Sequence, residues 1–287
     1  MDKKKIYVAM VTPFDQNGEL DEKSVVRLCQ HLISMHVDGI VVCGTTGEAS
    51  ALSFDERAQL LSLVKKTVGT KAEIWMGCGT NNTLESLRYC KQAQSMGVDG
   101  IMLITPYYVR PSQRGLYEHF AFLAQQIETP LMLYNVPKRT GVNLEAKTVI
   151  QLAHRFSNIV MLKQAYDDPD AIAQILAQSS IKILYGDDLN YDKALLQGVD
   201  GIVSVAGQVD CSLLHRLHEA HQLGILPQSI IQKWKQLSRM CFLVSSPSDV
   251  KEILSQMGIC QNIVRLPLCT LDDDEKECIR KWIKEKS

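Results

Sequence analysis

The stretch Asn158-Ile-Val-Met-Leu-Lys163 is an apolar run that ends on a lysine. Four consecutive hydrophobic residues, two of them β-branched, are typical of a strand buried on both faces of a parallel sheet. A lysine directly after such a run is unusual, because burial penalises the ammonium form. A buried amine loses its proton more readily and becomes a better nucleophile toward a carbonyl compound. From this strand alone, a lysine that reaches into solvent is the alternative interpretation.

Working outward, short apolar runs alternate with segments of helical period along most of the chain. The predicted strands are Ile6–Val11, Gly39–Cys43, Glu73–Gly77, Gly100–Ile104, Leu131–Tyr134, Ile159–Lys163, Ile181–Tyr185 and Gly201–Val205. The predicted helices are Glu22–His36, Ser53–Val68, Thr83–Met96, Gly115–Ile127, Glu145–His154, Asp170–Ala177, Tyr191–Gln197 and Ser212–Leu223. Ser53-Phe-Asp-Glu56 has the pattern of a capping box, and Gly97 and Gly198 are expected C-caps.

Eight strand–helix units predict an α/β fold, a (β/α)8 TIM barrel. A doubly wound sheet is the alternative, but it would more readily show a glycine-rich phosphate fingerprint after the first strand, where Val11-Thr-Pro-Phe14 stands. Residues 1–225 are predicted to form the catalytic barrel. Beyond about Pro227 the alternation stops, so residues 226–287 are predicted to form a C-terminal helical extension with helices over Ser229–Leu243, Ser248–Met257 and Asp272–Glu285.

Composition narrows the class of protein. Of 287 residues, 46% are hydrophobic and 22% charged, which suits a folded chain with a large core. Lys+Arg is 31 and Asp+Glu is 32, so nothing indicates a partner among nucleic acids or anionic membranes. No apolar run approaches the ~20 residues of a spanning helix, and the N-terminal residues lack the apolar region of a signal peptide. A cytoplasmic protein is therefore expected.

Nine cysteines and three spaced histidines raise the question of a metal site. The cysteines include no Cys-x-x-Cys pair, so reduced and buried thiols are expected. His215, His218 and His221 recur every third residue on a predicted helix without a carboxylate or cysteine at ligand spacing. We interpret them as a solvated helix face. Neither a metal nor an organic cofactor is predicted.

In a (β/α)8 barrel the active site lies at the carboxyl ends of the strands. The segments at those positions are Gly44-Thr-Thr-Gly-Glu48, Thr105-Pro-Tyr-Tyr108, Tyr134-Asn-Val-Pro-Lys-Arg-Thr140, Lys163, Gly186-Asp-Asp188 and Ser204-Val-Ala-Gly207. A lysine that attacks a ketone needs hydroxyl groups to relay protons, and the glycine–threonine loop and an arginine can hold carboxylates. Taken singly, Tyr134 could be a packing residue, Tyr107-Tyr108 an interface pair and Arg139 a surface cation.

The chain resembles the dihydrodipicolinate synthase branch of the class I pyruvate-dependent aldolase/lyase family, from Thr12-Pro13 to Arg265-Leu-Pro267. The motifs that carry the resemblance are Gly44-Thr-Thr-Gly-Glu48, Thr105-Pro-Tyr-Tyr108 with Arg110-Pro-Ser, Tyr134-Asn-Val-Pro-Lys-Arg-Thr-Gly141, Lys163 and Gly186-Asp-Asp188. The resemblance implies a lyase that joins pyruvate to L-aspartate 4-semialdehyde through a lysine Schiff base, in lysine and diaminopimelate biosynthesis.

The resemblance also implies a role for each site residue. Lys163 would form the Schiff base, Tyr134 would pass protons, and Thr45 and Tyr108 would complete the relay. Tyr108 would come from the neighbouring subunit of a homodimer or homotetramer. The substrate-binding positions would be Thr46 for the pyruvate carboxylate, Arg139 for aspartate semialdehyde, and the backbone at Gly186 and Val203.

Two departures leave alternatives open. The segment Gln164-Ala165-Tyr166-Asp167 stands where the family usually has Glu-Ala-Thr/Ser-Gly, which weakens the inference about the second substrate. At the lysine feedback site of some members, Asn81, Glu85 and Tyr107 match but Phe54 and Arg57 do not. The alternatives are a related aldolase acting on a sugar-derived 2-keto acid, similar to sialic acid lyases, and a non-catalytic paralogue.

Overall fold

A computed structural model describes residues 3–285 and shows eight strands that alternate with helices. The strands are β1 (Lys5–Ala9), β2 (Gly39–Val42), β3 (Glu73–Gly77), β4 (Gly100–Ile104), β5 (Leu131–Asn135), β6 (Ile159–Gln164), β7 (Lys182–Tyr185) and β8 (Gly201–Ser204). They follow one another in sheet order and close into a barrel, which confirms the predicted (β/α)8 fold.

The helices are α1 (Glu22–Ser34), α2 (Phe54–Val68), α3 (Thr83–Ser95), α4 (Gln113–Gln126), α5 (Pro137–Thr140), α6 (Ala146–Arg155), α7 (Pro169–Gln178), α8 (Tyr191–Leu196), α9 (Ser212–Gln222), α10 (Gln228–Met240), α11 (Ser248–Gln256) and α12 (Asp273–Lys284). Within residues 3–285, none of them combines the length and hydropathy that a membrane span requires. The sequence analysis missed the short α5 and three single-turn 3₁₀ helices at Ala49–Ala51, Asp188–Asn190 and Ala206–Gln208.

Helix ends follow the predicted chemistry. The side chains and backbones of Ser53 and Glu56 exchange hydrogen bonds of 2.8 and 3.2 Å, which confirms the capping box of α2. Gly97 and Gly198 adopt φ of 68° and 91°, a left-handed conformation that glycine reaches without a steric penalty. Helix α4 begins two residues before the prediction, because the Ser112 hydroxyl accepts a hydrogen bond from Gly115 and caps it there.

The chain forms two compact units. Among the described residues, the first contains 3–7 and 73–203, and its strands β3 to β7 pair in parallel, with one register shift between β5 and β6 at Leu131/Met132. Leu103, Leu133 and Leu162, which are register partners on β4, β5 and β6, are fully buried, as the continuous hydrophobic runs predicted.

Among the described residues, the second unit contains 8–72 and 204–285. Helices α1 and α2 pack on each other, and α9 packs on α10. Leu28 and Leu32 of α1 and Leu61 of α2 are fully buried. The division into a barrel over residues 1–225 and an extension over 226–287 stays a prediction.

Candidate active site

Lys163 lies on β6 with its side chain enclosed, since only 5% of the residue is exposed. It is paired in register with Tyr134 on β5 and with Leu184 on β7. The Lys163 Nζ lies 4.2 Å from the centroid of the Tyr134 ring, against the face of the ring. The structure therefore brings together the two residues that the sequence analysis placed at the centre of the site, and the alternative of a solvated lysine is wrong.

The amine of Lys163 forms no ion pair with any of the described residues. Among residues 3–285, no carboxylate lies within ion-pair distance of Nζ and no side chain or carbonyl accepts a hydrogen bond from it. A buried lysine is normally paired, so this arrangement is unusual for a structural role. It leaves the nitrogen lone pair available for a substrate once the proton is lost.

Gly186, which follows β7, makes room for the lysine. A Cβ atom at this position would lie 2.9 Å from Lys163 Cε and 2.8 Å from Ala165 Cβ, closer than such atoms approach. The backbone N–H of Gly186 donates to Gln164 O at 2.8 Å, which holds this crossing next to β6. The absence of a side chain at residue 186 is thus a steric requirement for the observed position of the lysine.

Asn135 and Gln164, which directly follow Tyr134 and Lys163, form a second cross-strand pair. Asn135 and Gln164 stand opposite each other on β5 and β6, and Asn135 Nδ2 donates to Gln164 Oε1 at 3.1 Å. Asn135 also holds the loop beyond α5 through Asn143 and Leu144, at 2.8 and 3.0 Å. The sequence analysis missed this pair. Its signal is that both residues directly follow the predicted site residues on adjacent strands.

Tyr108 and Arg139 lie on the loop after β4 and on α5. Both line one surface depression of about 500 Å³ together with Tyr107, Arg110, Lys138, Thr140 and Gly141. Tyr108 is 87% exposed and has a φ of 73°, and its N–H donates to Thr140 O at 3.2 Å. Arg139 is also exposed. Val203 is buried within β8.

Thr45 and Thr46 belong to the second unit, in the loop that follows β2. The Thr45 side chain is exposed and that of Thr46 is buried. Tight turns shape the loop, with Gly47 N donating to Gly44 O and Glu48 N to Thr45 O, both at 3.1 Å. A Cβ at residue 47 would lie 3.1 Å from Met10 O, so a side chain there would disturb the loop.

The sequence analysis missed how this loop is anchored. The Glu48 carboxylate is buried and forms a 2.5 Å ion pair with Lys251 of α11. The sequence offered little signal for it, because Lys251 stands between Val250 and Glu252, and only the structure shows that this helix is buried over Ser248–Leu254.

The structure corrects one interpretation of the histidines. His218 is buried on α9 and is not part of a solvated face, and the ring of His215 bonds to Met35 O at 2.9 Å. His218 belongs to the buried stripe of α9 that also contains Leu214 and Leu217. No cluster of metal-ligating side chains occurs in the described part of the chain.

The nine cysteines are all free thiols, as predicted, and seven of them are buried. Burial raises the pKa of Cys29 and of Cys43 to about 12. These thiols therefore stay protonated at neutral pH and are not nucleophiles.

Comparison with known proteins agrees with this geometry. The model of the Dihydrodipicolinate synthetase family matches residues 2–286. The 4-hydroxy-tetrahydrodipicolinate synthase of Moorella thermoacetica is 39% identical over 285 residues, covering 98% of this chain and 97% of the relative. The crystal structure of dihydrodipicolinate synthase from Aquifex aeolicus has a TM-score of 0.94 at 31% identity, covering 99% of this chain and 98% of that one. A monomeric dihydrodipicolinate synthase variant has the same TM-score at 33% identity, covering 99% and 96%. The chain belongs to the dihydrodipicolinate synthetase family.

Proposed function

We propose that the chain catalyses the condensation of pyruvate with L-aspartate 4-semialdehyde, the reaction of 4-hydroxy-tetrahydrodipicolinate synthases, in lysine and diaminopimelate biosynthesis. Family membership supports the reaction class. The observation that carries the chemistry is the Lys163 amine, which is buried beside Tyr134 and has no acidic partner within residues 3–285. The neutral amine attacks the ketone carbon of pyruvate, water leaves, and a Schiff base forms.

The imine makes the pyruvate methyl group acidic, so loss of a proton gives an enamine. The enamine carbon attacks the aldehyde carbon of the second substrate, whose oxygen takes up a proton. The amino group of that substrate then attacks the imine carbon, closes a ring and releases Lys163. Each of these steps transfers a proton close to the Schiff base. We propose that Tyr134 carries it, with Thr45 and Tyr108 completing the relay.

The remaining site residues bind the two substrates. Thr46 holds the carboxylate of pyruvate with its hydroxyl and backbone N–H, while the backbone at Gly186 and Val203 lines the pocket. Arg139 binds the carboxylate of aspartate semialdehyde, for which its planar fork of donors is suited. No metal or organic cofactor enters the reaction, because the lysine supplies the electron sink.

We propose that the working form is a homodimer or homotetramer. Tyr108 is 87% exposed and holds a left-handed φ of 73°, a conformation that costs free energy for a residue other than glycine. A second copy that covers Tyr108 would stabilise this conformation and bring the hydroxyl group to a neighbouring site. A cytoplasmic location, without a nucleic acid or membrane partner, stays a prediction.

The test of the imine is reduction with borohydride in the presence of pyruvate. The expected product is a covalent adduct on the peptide that contains Lys163, located by mass spectrometry, and its absence with intact folded protein would reject the mechanism. Pyruvate binding in a calorimeter without turnover would instead favour the non-catalytic paralogue.

The second substrate is tested by comparing rates with aspartate semialdehyde and with sugar-derived 2-keto acids. The proposal expects turnover of the semialdehyde, and an Arg139→Ala variant should lose that activity while it still forms the pyruvate adduct. Lys138→Ala is the matched control, because Lys138 is an exposed cation on the same short helix. Faster cleavage of a sugar acid would assign the site to the alternative.

A further inference from the structure

The loop that contains Thr45 and Thr46 is held in a conformation that is unfavourable by itself. Cys43 and Glu48, one on each side of the loop, have φ of 52° and 53°, in the left-handed region that side chains disfavour. Between them the backbone folds on itself, with Ala49 N donating to Gly44 O at 3.3 Å and the Thr12 hydroxyl donating to Gly47 O at 2.6 Å. Such a conformation persists only where the surroundings enforce it.

The Glu48 carboxylate supplies that enforcement. Its Oε1 accepts a hydrogen bond from Lys251 Nζ at 2.5 Å, and its Oε2 accepts one from the backbone N–H of Arg265 at 2.9 Å. Both donors come from the C-terminal part of the chain, more than 200 residues along the sequence, at separations of 203 and 217. The end of the loop is therefore fixed by two bonds that local sequence does not provide.

Lys251 and Arg265 are themselves held rigidly. Lys251 is fully buried and also donates to Ile263 O at 2.6 Å. Arg265 donates to Gly18 O and Ala51 O, both at 2.8 Å, and forms an ion pair with Glu56.

The aromatic ring of Phe14 joins the two cations. Lys251 Nζ and the Arg265 guanidinium carbon each lie 4.3 Å from the centroid of the ring. Both cations are also held by other groups, so they restrict the movement of the Glu48 carboxylate.

We propose that Lys251 is a positioning residue for catalysis, which holds Glu48 and thereby fixes the groups of Thr45 and Thr46 that meet pyruvate. The inference rests on the proposed function, in which these threonines relay protons and bind the substrate carboxylate. It assigns a role in the reaction to α11, which contributes none of the site residues described above.

Two measurements distinguish positioning from a role in stability alone. Hydrogen exchange of the peptide that contains residues 44–49 reports the loop without any substrate. In Lys251→Met we expect exchange at these amides to increase by about tenfold or more while the strands stay protected. Lys281→Met, on the exposed face of α12, is the control and should leave the loop unchanged.

The second measurement is the kinetics of pyruvate capture, per folded molecule. Lys251→Met should raise KM for pyruvate and slow borohydride trapping, each by about tenfold. In combination with Thr46→Val the two effects should be less than additive, because both substitutions disturb the same contact.

The double variant Glu48→Gln/Lys251→Met removes both charges together and leaves no buried carboxylate without its cation, so it is the second variant to test if Lys251→Met fails to fold. It should show the same change in KM and in loop exchange.

A variant that unfolds more readily but keeps the wild-type loop exchange, KM and trapping rate would overturn the proposal. Failure of the proposed function is recognised separately, because the wild type would then form no adduct. Loop exchange in Lys251→Met would still test whether α11 holds the loop.

Discussion

Two buried lysines in this molecule differ in the hydrogen-bond acceptors around their side-chain nitrogens. Lys163 and Lys251 are 5% and 0% exposed, and each places its Nζ over an aromatic ring, at 4.2 Å from Tyr134 and 4.3 Å from Phe14. Lys251 also has a carboxylate and a carbonyl oxygen as partners, from Glu48 and Ile263. Lys163 has no such partner in the described part of the chain.

The difference teaches that burial alone does not make a lysine a nucleophile. Burial lowers the pKa of Lys251, but the Glu48 carboxylate opposes this shift by favouring the charged form. Its amine is thus occupied as a donor and unavailable for addition to a carbonyl group. At Lys163 none of the described residues accepts a hydrogen bond from the nitrogen, which is the arrangement expected for imine formation.

The largest expected effect is the loss of activity in Lys163→Met, compared with Lys251→Met. Lys163→Met should lower kcat by about 10⁴-fold or more, because no other residue can replace the nucleophile. Lys251→Met should keep a measurable rate, and its borohydride adduct should remain on Lys163. The measurement is a steady-state assay with peptide mapping of the adduct. An adduct on Lys251 in the wild type would break the comparison.

The two substitutions should affect stability in the reverse order. Lys251→Met leaves the buried Glu48 carboxylate without its partner, so the free energy of unfolding should fall by about 3–5 kcal/mol. Lys163→Met removes a buried amine that has no ion-pair partner among the described residues, so it should be neutral or slightly stabilising. Urea unfolding curves check both, and Glu48→Gln/Lys251→Met should recover part of the loss. Equal unfolding midpoints for the two single variants would contradict this account.

Gly186→Ala sharpens the comparison because it crowds Lys163 without replacing it. The added Cβ would lie 2.9 Å from Lys163 Cε, so the side chain must move, and a displacement of this kind should slow adduct formation by about 10²-fold. The control is Ala165→Gly in the Gly186→Ala background, which removes the second close contact, at 2.8 Å, and should restore part of the rate. Trapping at the full rate in Gly186→Ala would show that the glycine is not required.

The smallest effect is expected at the partly exposed ion pair between Arg265 and Glu56. Hydrogen bonding to Arg265 lowers the pKa of Glu56 to about 2 from its ordinary value of 4.5. Since the folded pKa is the lower one, this contribution is complete above pH 4.5 and is lost as the pH falls toward 2.

Glu56→Gln should therefore cost about 0.5–1 kcal/mol at pH 7 and less at pH 3, as measured by urea unfolding. Glutamine preserves the capping box of α2, so the difference reports the charge. Glu277→Gln, whose ion pairs are longer at 3.8 and 4.0 Å, is the control and should show a smaller difference. An unchanged difference at the two pH values would assign the effect to packing.

The eight strands could be predicted from the sequence because each is a short apolar run with its own end signals. The tetrapeptide Val-Asp-Gly-Ile, which occurs at residues 37–40, 98–101 and 199–202, shows why. Asp99 and Asp200 accept hydrogen bonds from Ile74 N and Ile183 N at 2.7 and 2.8 Å, at the starts of the adjacent strands. The following glycine at residue 100 leaves space for the Trp75 ring. These contacts repeat with the strand–helix unit, so local patterning reveals them.

The site was only partly predictable. Lys163 and Tyr134 follow from their places at strand ends, since neighbouring parallel strands bring such residues together. The packing of Gly186 on the lysine and the hydrogen bond between Asn135 and Gln164 depend on the register of three strands, which no single segment specifies.

The sequence by itself determined the alternation that makes a barrel and the lysine and tyrosine that the barrel brings together, because hydrophobic period and strand ends are local properties. Only the tertiary structure decided which of the two buried lysines has a carboxylate partner. Glu48 and Lys251 are 203 residues apart, and their pairing exists because the fold returns α11 to the loop after β2. A lysine's chemistry depends on the acceptors within about 3 Å of its nitrogen, and those are chosen by packing across the chain.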